Sequence, residues 1–157
     1  MSVRPGYPVV LTGPDLLTAA VVGGGVVGTR KVLGLLAGGA RVAVIAPDAS
    51  DELRGLARSG RIEWARRPYR TGDLDGFGLA FAATSVREVN RRVADDARAS
   101  GLLCNVADAP EEGTFIVPAT HRTGDLLVAV GTGGASPARA AAVRDRLASL
   151  LDQEERT

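Results

Sequence analysis

The chain has 157 residues, of which 45% are apolar and 24% charged, a balance that excludes a disordered or fibrous protein. Its formal net charge of +1 gives no basis for a nucleic-acid surface built on bulk charge. The sequence shows one cysteine, Cys104, no charged-then-apolar leader and no apolar run near the roughly 20 residues that span a bilayer, so we expect a soluble cytoplasmic protein without a membrane partner.

The first two thirds of the chain alternate short apolar runs with helical patterns. The runs predict strands over residues 17–22, 41–46, 61–66, 78–84 and 102–106, and the helical spacing predicts helices over 26–37, 51–59 and 86–99. Strands that alternate with helices in this way predict an α/β fold with a parallel sheet covered on both faces.

The pattern changes after Asp108. Two apolar runs, 115–119 and 126–130, follow each other without a helix between them, which predicts strands outside the parallel sheet, either as a hairpin or as a pairing partner in a second subunit. A glycine loop and a last helix follow, with Ser136 as N-cap and Pro137 at the first helical position. We therefore divide the chain into a domain of residues 1–111 and a segment of residues 112–157.

A glycine-rich stretch joins the first predicted strand to the first predicted helix. Gly23, Gly25 and Gly28 satisfy the pattern G-x-G-x-x-G, in which the glycines allow a tight turn, the approach of a pyrophosphate and close helix–strand packing. Glycine-rich turns also occur as plain structure, and the flanking strand and helix favour dinucleotide binding here. We therefore predict a Rossmann-type domain that binds NAD, with Gly23 and Gly25 at the cofactor.

An acidic residue usually follows the second strand of such domains and binds the adenosine ribose. Ala46 occupies that position, so either Asp48 or the backbone at Pro47 and Asp48 is predicted to reach the ribose. The alternative is that Asp48 caps the helix that begins near Ser50. No arginine follows Asp48 directly, which argues against a pocket for a 2′-phosphate, and Thr84, after the fourth strand, is predicted to lie on the nicotinamide side.

Several stretches in the same order carry a resemblance to a known family. They are YPVVLTG at 7–13, VVGGGVVGTRK at 21–31, AGGARVAVIAPD at 37–48, FAATSVREVNRRV at 81–93, CNVADAPEEGTFIVPA at 104–119 and DLLVAVGTGGASPARAAAVRDRL at 125–147. Together they resemble the precorrin-2 dehydrogenase (sirohydrochlorin ferrochelatase) module of siroheme synthases. The pair N-V-x-D-x-P and T-G-G-x-S-P is far more specific than the glycine loop.

The resemblance implies an NAD-dependent oxidation of precorrin-2 to sirohydrochlorin, on the path to sirohaem or cobalamin. It implies that Asp108 is the functional acid, although an isolated aspartate before Ala-Pro is otherwise typical of a turn. It also implies cofactor contacts from Val26, Val27, Pro47 and Asp48, and a homodimer formed through the segment after the sheet.

The implied tetrapyrrole is a large polycarboxylate that must be oriented, and the sequence offers candidate residues for this. The backbone around T-G-G-A-S and the helix that opens at Ser136 form a candidate cradle for carboxylates. Arg122 and Arg139 are candidates to pair with acetate and propionate groups, or are simply solvated arginines. The residues predicted to bind substrate are Asn105, Arg122, Thr132, Gly133, Gly134 and Ser136.

Metal chemistry has little support in the sequence. His121, the one histidine, lies in a stretch that looks like a turn, where an exposed histidine is favoured over an acid, base or ligand role. No Cys/His cluster has metal-ligand spacing, so we predict no resident metal. Two alternatives remain: a bifunctional dehydrogenase and ferrochelatase, in which the same aspartate serves both reactions, and a regulatory module that binds NAD without turnover.

Two departures from the family pattern bear on these expectations. Gly131 stands where many bifunctional members have a serine that can be phosphorylated, so we expect no such regulation. Family members usually continue past the last helix into a further helical region that helps close over the tetrapyrrole, whereas this sequence ends at Thr157. We therefore expect dehydrogenation to be retained more readily than ferrochelation.

Overall fold

The structure is a computed structural model that describes residues 6–13 and 17–154. The chain forms two compact units. The first runs from Val10 to Phe115, and the second combines residues before Val10 with those after Phe115. Within the described ranges, none of the helices has both the length and the apolar character that crossing a membrane requires.

The first unit is built on a sheet of five parallel strands. The strands are β1 (Thr18–Val22), β2 (Arg41–Ile45), β3 (Glu63–Ala65), β4 (Leu79–Ala82) and β5 (Leu103–Val106). Their order in the sheet is β3-β2-β1-β4-β5. The chain adds β2 and β3 on one side of β1 and then crosses back to add β4 and β5 on the other side. The predicted α/β fold of Rossmann type is confirmed, and β1 and β4 flank the switch point at which such sheets bind ligands.

Helices cover both faces of this sheet. They are α1 (Val26–Ala37), α2 (Asp51–Arg58) and α3 (Arg87–Ala99), and a single 3₁₀ turn (Pro110–Glu112) follows β5. Successive residues of β1 point to opposite faces: Val22 packs in one apolar cluster with Val93 of α3, and Val21 in the other with Val32 of α1. Because both faces are buried, the strands read as continuous apolar runs, as the sequence predicted.

The second unit contains a hairpin and the last helix. Strands β6 (Ala119–Thr123) and β7 (Leu126–Val130) pair antiparallel with each other, and α4 spans Pro137–Glu154. Gly124, the first of the two residues between the strands, has a φ of 53°, as a tight hairpin turn of this kind requires. Of the two predicted arrangements, the hairpin within one chain is therefore the observed one.

One predicted strand is wrong in position. The run 115–119 was expected to be extended, but the strand occupies 119–123, so His121 and Arg122 lie in β6 and not in a turn. Pro118 explains the shift, because it has no N–H to donate to a ladder and the strand begins only after it. Phe115 belongs instead to the first unit, where its ring meets that of Phe81 edge to face at 5.4 Å.

Candidate functional site

The carboxyl ends of the central strands lie at one level. Val22 of β1 pairs with Ile45 of β2 on one side and with Ala82 of β4 on the other, and Ala82 pairs with Val106 of β5. The residues that follow these strands therefore share one edge of the sheet. The residues predicted to bind the cofactor or to act as the acid follow these strands and lie at this edge: Gly23, Gly25, Val26, Val27, Pro47, Asp48, Thr84 and Asp108.

Three glycines of the loop after β1 are required by contacts inside the chain. A Cβ on Gly23 would lie 2.3 Å from the Ala83 carbonyl oxygen, and Gly23 has a φ of +124°. A Cβ on Gly28 would lie 2.1 Å from the Gly23 oxygen, and one on Gly24 would lie 2.2 Å from the Asp48 oxygen. At these three positions the backbone segments pack so closely that there is no room for a side chain.

Gly25 is different, because no contact within the chain demands a glycine there. Its φ is −82°, and no described atom lies within 4 Å of the position a Cβ would take. It is the N-cap of α1 and makes no side-chain cap, so the first N–H groups of the helix, at Val26, Val27 and Gly28, have no intrahelical acceptor. A bare backbone, free N–H groups and the positive end of a helix dipole fit a pyrophosphate.

Ser50 ties the glycine loop to the loop after β2. Its backbone N–H donates to the Gly24 oxygen at 2.8 Å, and its hydroxyl is 2.8 Å from that of Thr29. The Ser50 hydroxyl also accepts from the Leu53 N–H, which makes Ser50 the N-cap of α2. The alternative in which Asp48 caps this helix is therefore wrong.

Asp48 is exposed and already paired. Its side chain is 74% accessible, and its Oδ1 accepts hydrogen bonds from the Ala49 N–H at 3.0 Å and from the Arg54 guanidinium at 2.5 Å. The bond from Arg54, more than any other contact, holds the pKa of this carboxyl below its usual range. Although no arginine follows Asp48 directly in the sequence, the first turn of α2 places Arg54 in contact with its carboxylate. Pro47, beside it, is also exposed and offers only a carbonyl oxygen.

Thr84 is held by a residue that the sequence analysis missed, Asn90 of α3. The Asn90 amide is fully buried: its oxygen accepts from the Thr84 N–H at 3.0 Å and from the Thr84 hydroxyl at 2.8 Å, and its nitrogen donates to the Thr84 carbonyl at 3.0 Å. The sequence does contain a signal that Asn90 is buried, because it is the one polar residue on the apolar helix face formed by Val86, Val93 and Ala97. The amide fixes the loop that ends β4, and a contact between Thr84 and the cofactor stays a prediction.

Substituting Asn90 with alanine is expected to destabilise the protein by about 2–3 kcal/mol, because the Thr84 N–H and carbonyl both lose their partner. Urea unfolding of the purified variant measures this change. Arg91→Ala is the matched control, since Arg91 is the exposed neighbour and pairs only at the surface with Glu88; its cost should stay below about 0.5 kcal/mol. Equal losses in the two variants would contradict the role given to Asn90.

Asp108 lies in the bend after β5 and faces a cation. Its Oδ1 is 3.7 Å from Nη1 of Arg87, at the start of α3, and its side chain is 37% accessible. Arg87 also pairs closely with Glu112, whose hydrogen bond is the main reason that the pKa of Arg87 is raised. Arg87 therefore stays charged and presents one guanidinium to two carboxylates. Asp108 keeps a partly accessible carboxylate at the strand edge.

Asn105 is placed differently from the other predicted residues. It is only 5% accessible, and its side-chain N–H donates to the Phe115 carbonyl at 3.1 Å. Its Oδ1 is buried and has no hydrogen-bond partner among the described residues. An unpaired buried acceptor costs about 1–3 kcal/mol, so a ligand or water that donates to it would be bound favourably.

Cys104, the neighbour of Asn105 in β5, is a buried thiol. Burial raises the pKa of this thiol to about 11, which makes it a poor nucleophile at neutral pH.

The predicted residues of the second unit form a separate group. Thr132 accepts a hydrogen bond from the Ser136 N–H at 2.9 Å, and the Ser136 hydroxyl accepts from the Arg139 N–H at 3.2 Å, which confirms Ser136 as the N-cap of α4. Gly133 and Gly134 both have positive φ, 60° and 84°. The loop is therefore shaped by its own hydrogen bonds, and the Thr132 hydroxyl still has its proton to donate.

The two side chains of interest on β6 point in alternate directions. Arg122 is exposed, whereas His121 is partly buried with its Nε2 3.5 Å from an Asp152 carboxylate oxygen of α4. The expectation of an exposed turn histidine is therefore wrong. In the described part of the chain, no group of three or more His, Cys, Asp or Glu side chains is arranged to hold a metal ion.

Comparisons with known proteins agree with this geometry. A family model described as "Putative NAD(P)-binding" matches residues 15–119. Siroheme synthase of Chromobacterium violaceum is 47% identical over 131 residues, which are 83% of this chain and 28% of that protein. Siroheme synthase 1 of Aeromonas salmonicida is 41% identical over 133 residues, 85% of this chain and again 28% of the relative. The chain thus spans less than a third of the length of these relatives.

A solved structure extends the comparison to the whole fold. It is SirC, a precorrin-2 dehydrogenase, which is 32% identical in sequence and superposes with a TM-score of 0.76 over 92% of this chain and 70% of its own. At this coverage the match extends beyond the parallel sheet into the second unit. By these similarities, the chain belongs to the family of precorrin-2 dehydrogenases and siroheme synthases.

Proposed function

We propose that this protein is an NAD-dependent precorrin-2 dehydrogenase that oxidises precorrin-2 to sirohydrochlorin. The observation that carries the proposal is the shared strand edge, where an open glycine loop follows β1 and the accessible carboxylate of Asp108 follows β5, two strands away. The similarity to SirC supports the same reaction.

The reaction removes a hydride and a proton from a reduced tetrapyrrole, and NAD, when bound, accepts the hydride. The chain's own residues do the rest. The N–H groups of Val26 and Val27 bind the pyrophosphate, and Asp48 with the backbone at Pro47 holds the adenosine ribose. Asp108 takes the proton as general base, and Arg87 keeps that carboxylate oriented at the strand edge.

In this proposal, polar groups of the second unit orient the substrate, which is a polycarboxylate. Thr132, Gly133, Gly134 and Ser136 supply hydroxyl and backbone donors at the start of a helix, and Arg122 supplies an exposed guanidinium. In this proposal residues 1–111 bind the cofactor and residues 112–157 serve the substrate and the dimer.

We further propose that the protein works as a homodimer in the cytoplasm. The second unit exposes large apolar side chains that a partner copy would cover: Ile116, Val117, Leu126, Leu147 and Leu150. The single cysteine is unpaired, which suits a reducing compartment. Sedimentation equilibrium of the purified protein should give twice the mass of one chain; a monomer at all concentrations tested would contradict the dimer.

Anaerobic incubation of the purified protein with precorrin-2 and NAD tests the main proposal. NADH and sirohydrochlorin should appear together, and neither should form when NAD is left out. Binding of NAD without either product would contradict the dehydrogenase and favour a regulatory module. Adding ferrous or cobaltous ion once sirohydrochlorin has formed then tests whether the same chain also inserts a metal.

A further inference from the structure

A cavity beside Asp48 has no part in the function proposed so far. It has a volume of about 450 Å³ and lies between α2 and the edge strand β3. Its lining combines three guanidinium groups with an aromatic ring and aliphatic surface: Arg54, Ala57, Arg58, Ile62, Trp64 and Arg66. Three arginines around one opening suit an anion, because each offers several N–H donors in a fixed plane.

The positive charge of this cavity is only partly balanced. Arg54 pairs with Asp48 at 2.5 Å and with Asp51 at 3.5 Å. Arg66 lies over the Trp64 ring, with its guanidinium carbon 5.5 Å from the ring centre. Among the residues that the structure describes, neither Arg58 nor Arg66 has a carboxylate oxygen within 4.0 Å, so both have donors left for a ligand.

The cavity is anchored to the strand edge that carries the cofactor residues. The Trp64 indole N–H donates to the Ala46 carbonyl at 3.0 Å, directly after β2. Arg54 reaches back from α2 to Asp48, two residues further along. The end of β2 is where dinucleotide-binding domains read the adenosine ribose: a carboxylate binds a free 2′-hydroxyl, whereas a nearby arginine accommodates a 2′-phosphate.

A carboxylate at this position favours NAD partly because it repels the 2′-phosphate of NADP. Here Arg54 neutralises the Asp48 carboxylate, and Arg66 adds to the positive potential that Asp48 experiences. The site therefore lacks an uncompensated negative charge that would exclude the phosphate. It also holds, within the same cavity, the donors that would bind one.

We propose that this arginine-lined cavity, defined by Arg54, Arg58, Arg66 and Trp64, binds the 2′-phosphate of an adenine dinucleotide, so that the protein accepts NADP as well as NAD. Arg54 is the specificity-determining residue: it pairs with Asp48 when the ribose has a free hydroxyl and with the phosphate when one is present. The proposal rests on the dinucleotide binding proposed above and extends it to a second cofactor.

Isothermal titration calorimetry with each dinucleotide, without any substrate, provides the test. We expect the dissociation constants of NAD and NADP to lie within about ten-fold of each other, since charge-assisted bonds replace those lost at Asp48. In Arg54→Ala with Arg66→Ala, the ratio of the dissociation constant of NADP to that of NAD should rise at least about ten-fold, because an unpaired Asp48 now faces the phosphate. Arg41→Ala, at the opposite end of β2, should leave both constants unchanged.

A second comparison isolates the phosphate itself. Adenosine 2′,5′-bisphosphate should bind more tightly than adenosine 5′-monophosphate to the wild type, and this preference should decrease in Arg66→Gln, a single change that removes one guanidinium charge and keeps a polar side chain. NAD binding with NADP more than about a hundred-fold weaker overturns the inference and leaves the proposed function intact. Displacement of NADP by an equal concentration of inorganic phosphate would also overturn it. Failure of both dinucleotides to bind would instead refute the proposed function.

Discussion

Replacing Asp108 with asparagine is expected to lower the rate of NADH formation from precorrin-2 and NAD by about a hundred-fold or more, the usual loss when a general base is removed. Asparagine retains the shape of the side chain but accepts no proton. The variant should fold normally, because the ion pair with Arg87 is long, at 3.7 Å, and partly exposed. Initial rates under anaerobic conditions, together with calorimetric titration of NAD, measure the two effects separately.

NAD affinity is the decisive second measurement for this variant. An unchanged affinity with lost turnover identifies Asp108 as a group that acts on the substrate. Asp95→Asn is the matched control, since Asp95 lies on the exposed face of α3, where it pairs with Arg98, and this variant should retain full activity. Full activity in Asp108→Asn would contradict the catalytic role and leave Asp108 as a bend residue.

Alanine substitutions at Gly25 and Gly28 are expected to have opposite consequences. A Cβ at Gly28 would lie 2.1 Å from the Gly23 oxygen, a backbone atom, so helix α1 must shift. We expect a cost of about 3 kcal/mol and a melting temperature lower by about 6–12 °C. A Cβ at Gly25 meets no described atom within 4 Å, so the apo protein should melt normally and yet bind NAD about ten-fold more weakly or worse.

Thermal melts of the apo variants and calorimetric titration of NAD check both expectations. Gly34→Ala is the control within the same helix: its Cβ also meets nothing within 4 Å, but Gly34 lies two turns past the loop. It should stabilise the protein by up to about 1 kcal/mol through helix propensity and leave NAD binding unchanged. If Gly25→Ala binds NAD as tightly as the wild type does, the loop does not hold a pyrophosphate.

The parallel sheet and the cofactor loop could be predicted from local pattern. Strands buried on both faces must be apolar throughout, so their positions are visible as runs, and the glycines between β1 and α1 mark the turn that follows. Parallel strands also bring their carboxyl ends to one edge, which is why the sequence alone predicts that Asp48, Thr84 and Asp108 lie at a common edge. The roles of these residues still rest on the proposed function.

The hairpin shows where local pattern failed. Apolar content suggested a strand at 115–119, yet Phe115 belongs to the first unit, where it packs on Phe81, and the ladder begins only after Pro118. In a short strand with partly exposed faces, hydrogen-bonding capacity decides the boundaries more than apolar content does. The same error placed His121 in a turn, whereas it pairs opposite Val128.

The sequence by itself therefore determined the order of the elements, the glycine turn and the set of residues at the strand edge. Only the tertiary structure decided which charged and polar groups meet there, because those contacts join separate elements. Asn90 reaches Thr84 from α3, Arg87 reaches Asp108 across the bend after β5, and Arg54 neutralises Asp48 from α2. Such contacts depend on how helices pack against the sheet, and no periodicity along the chain records that packing.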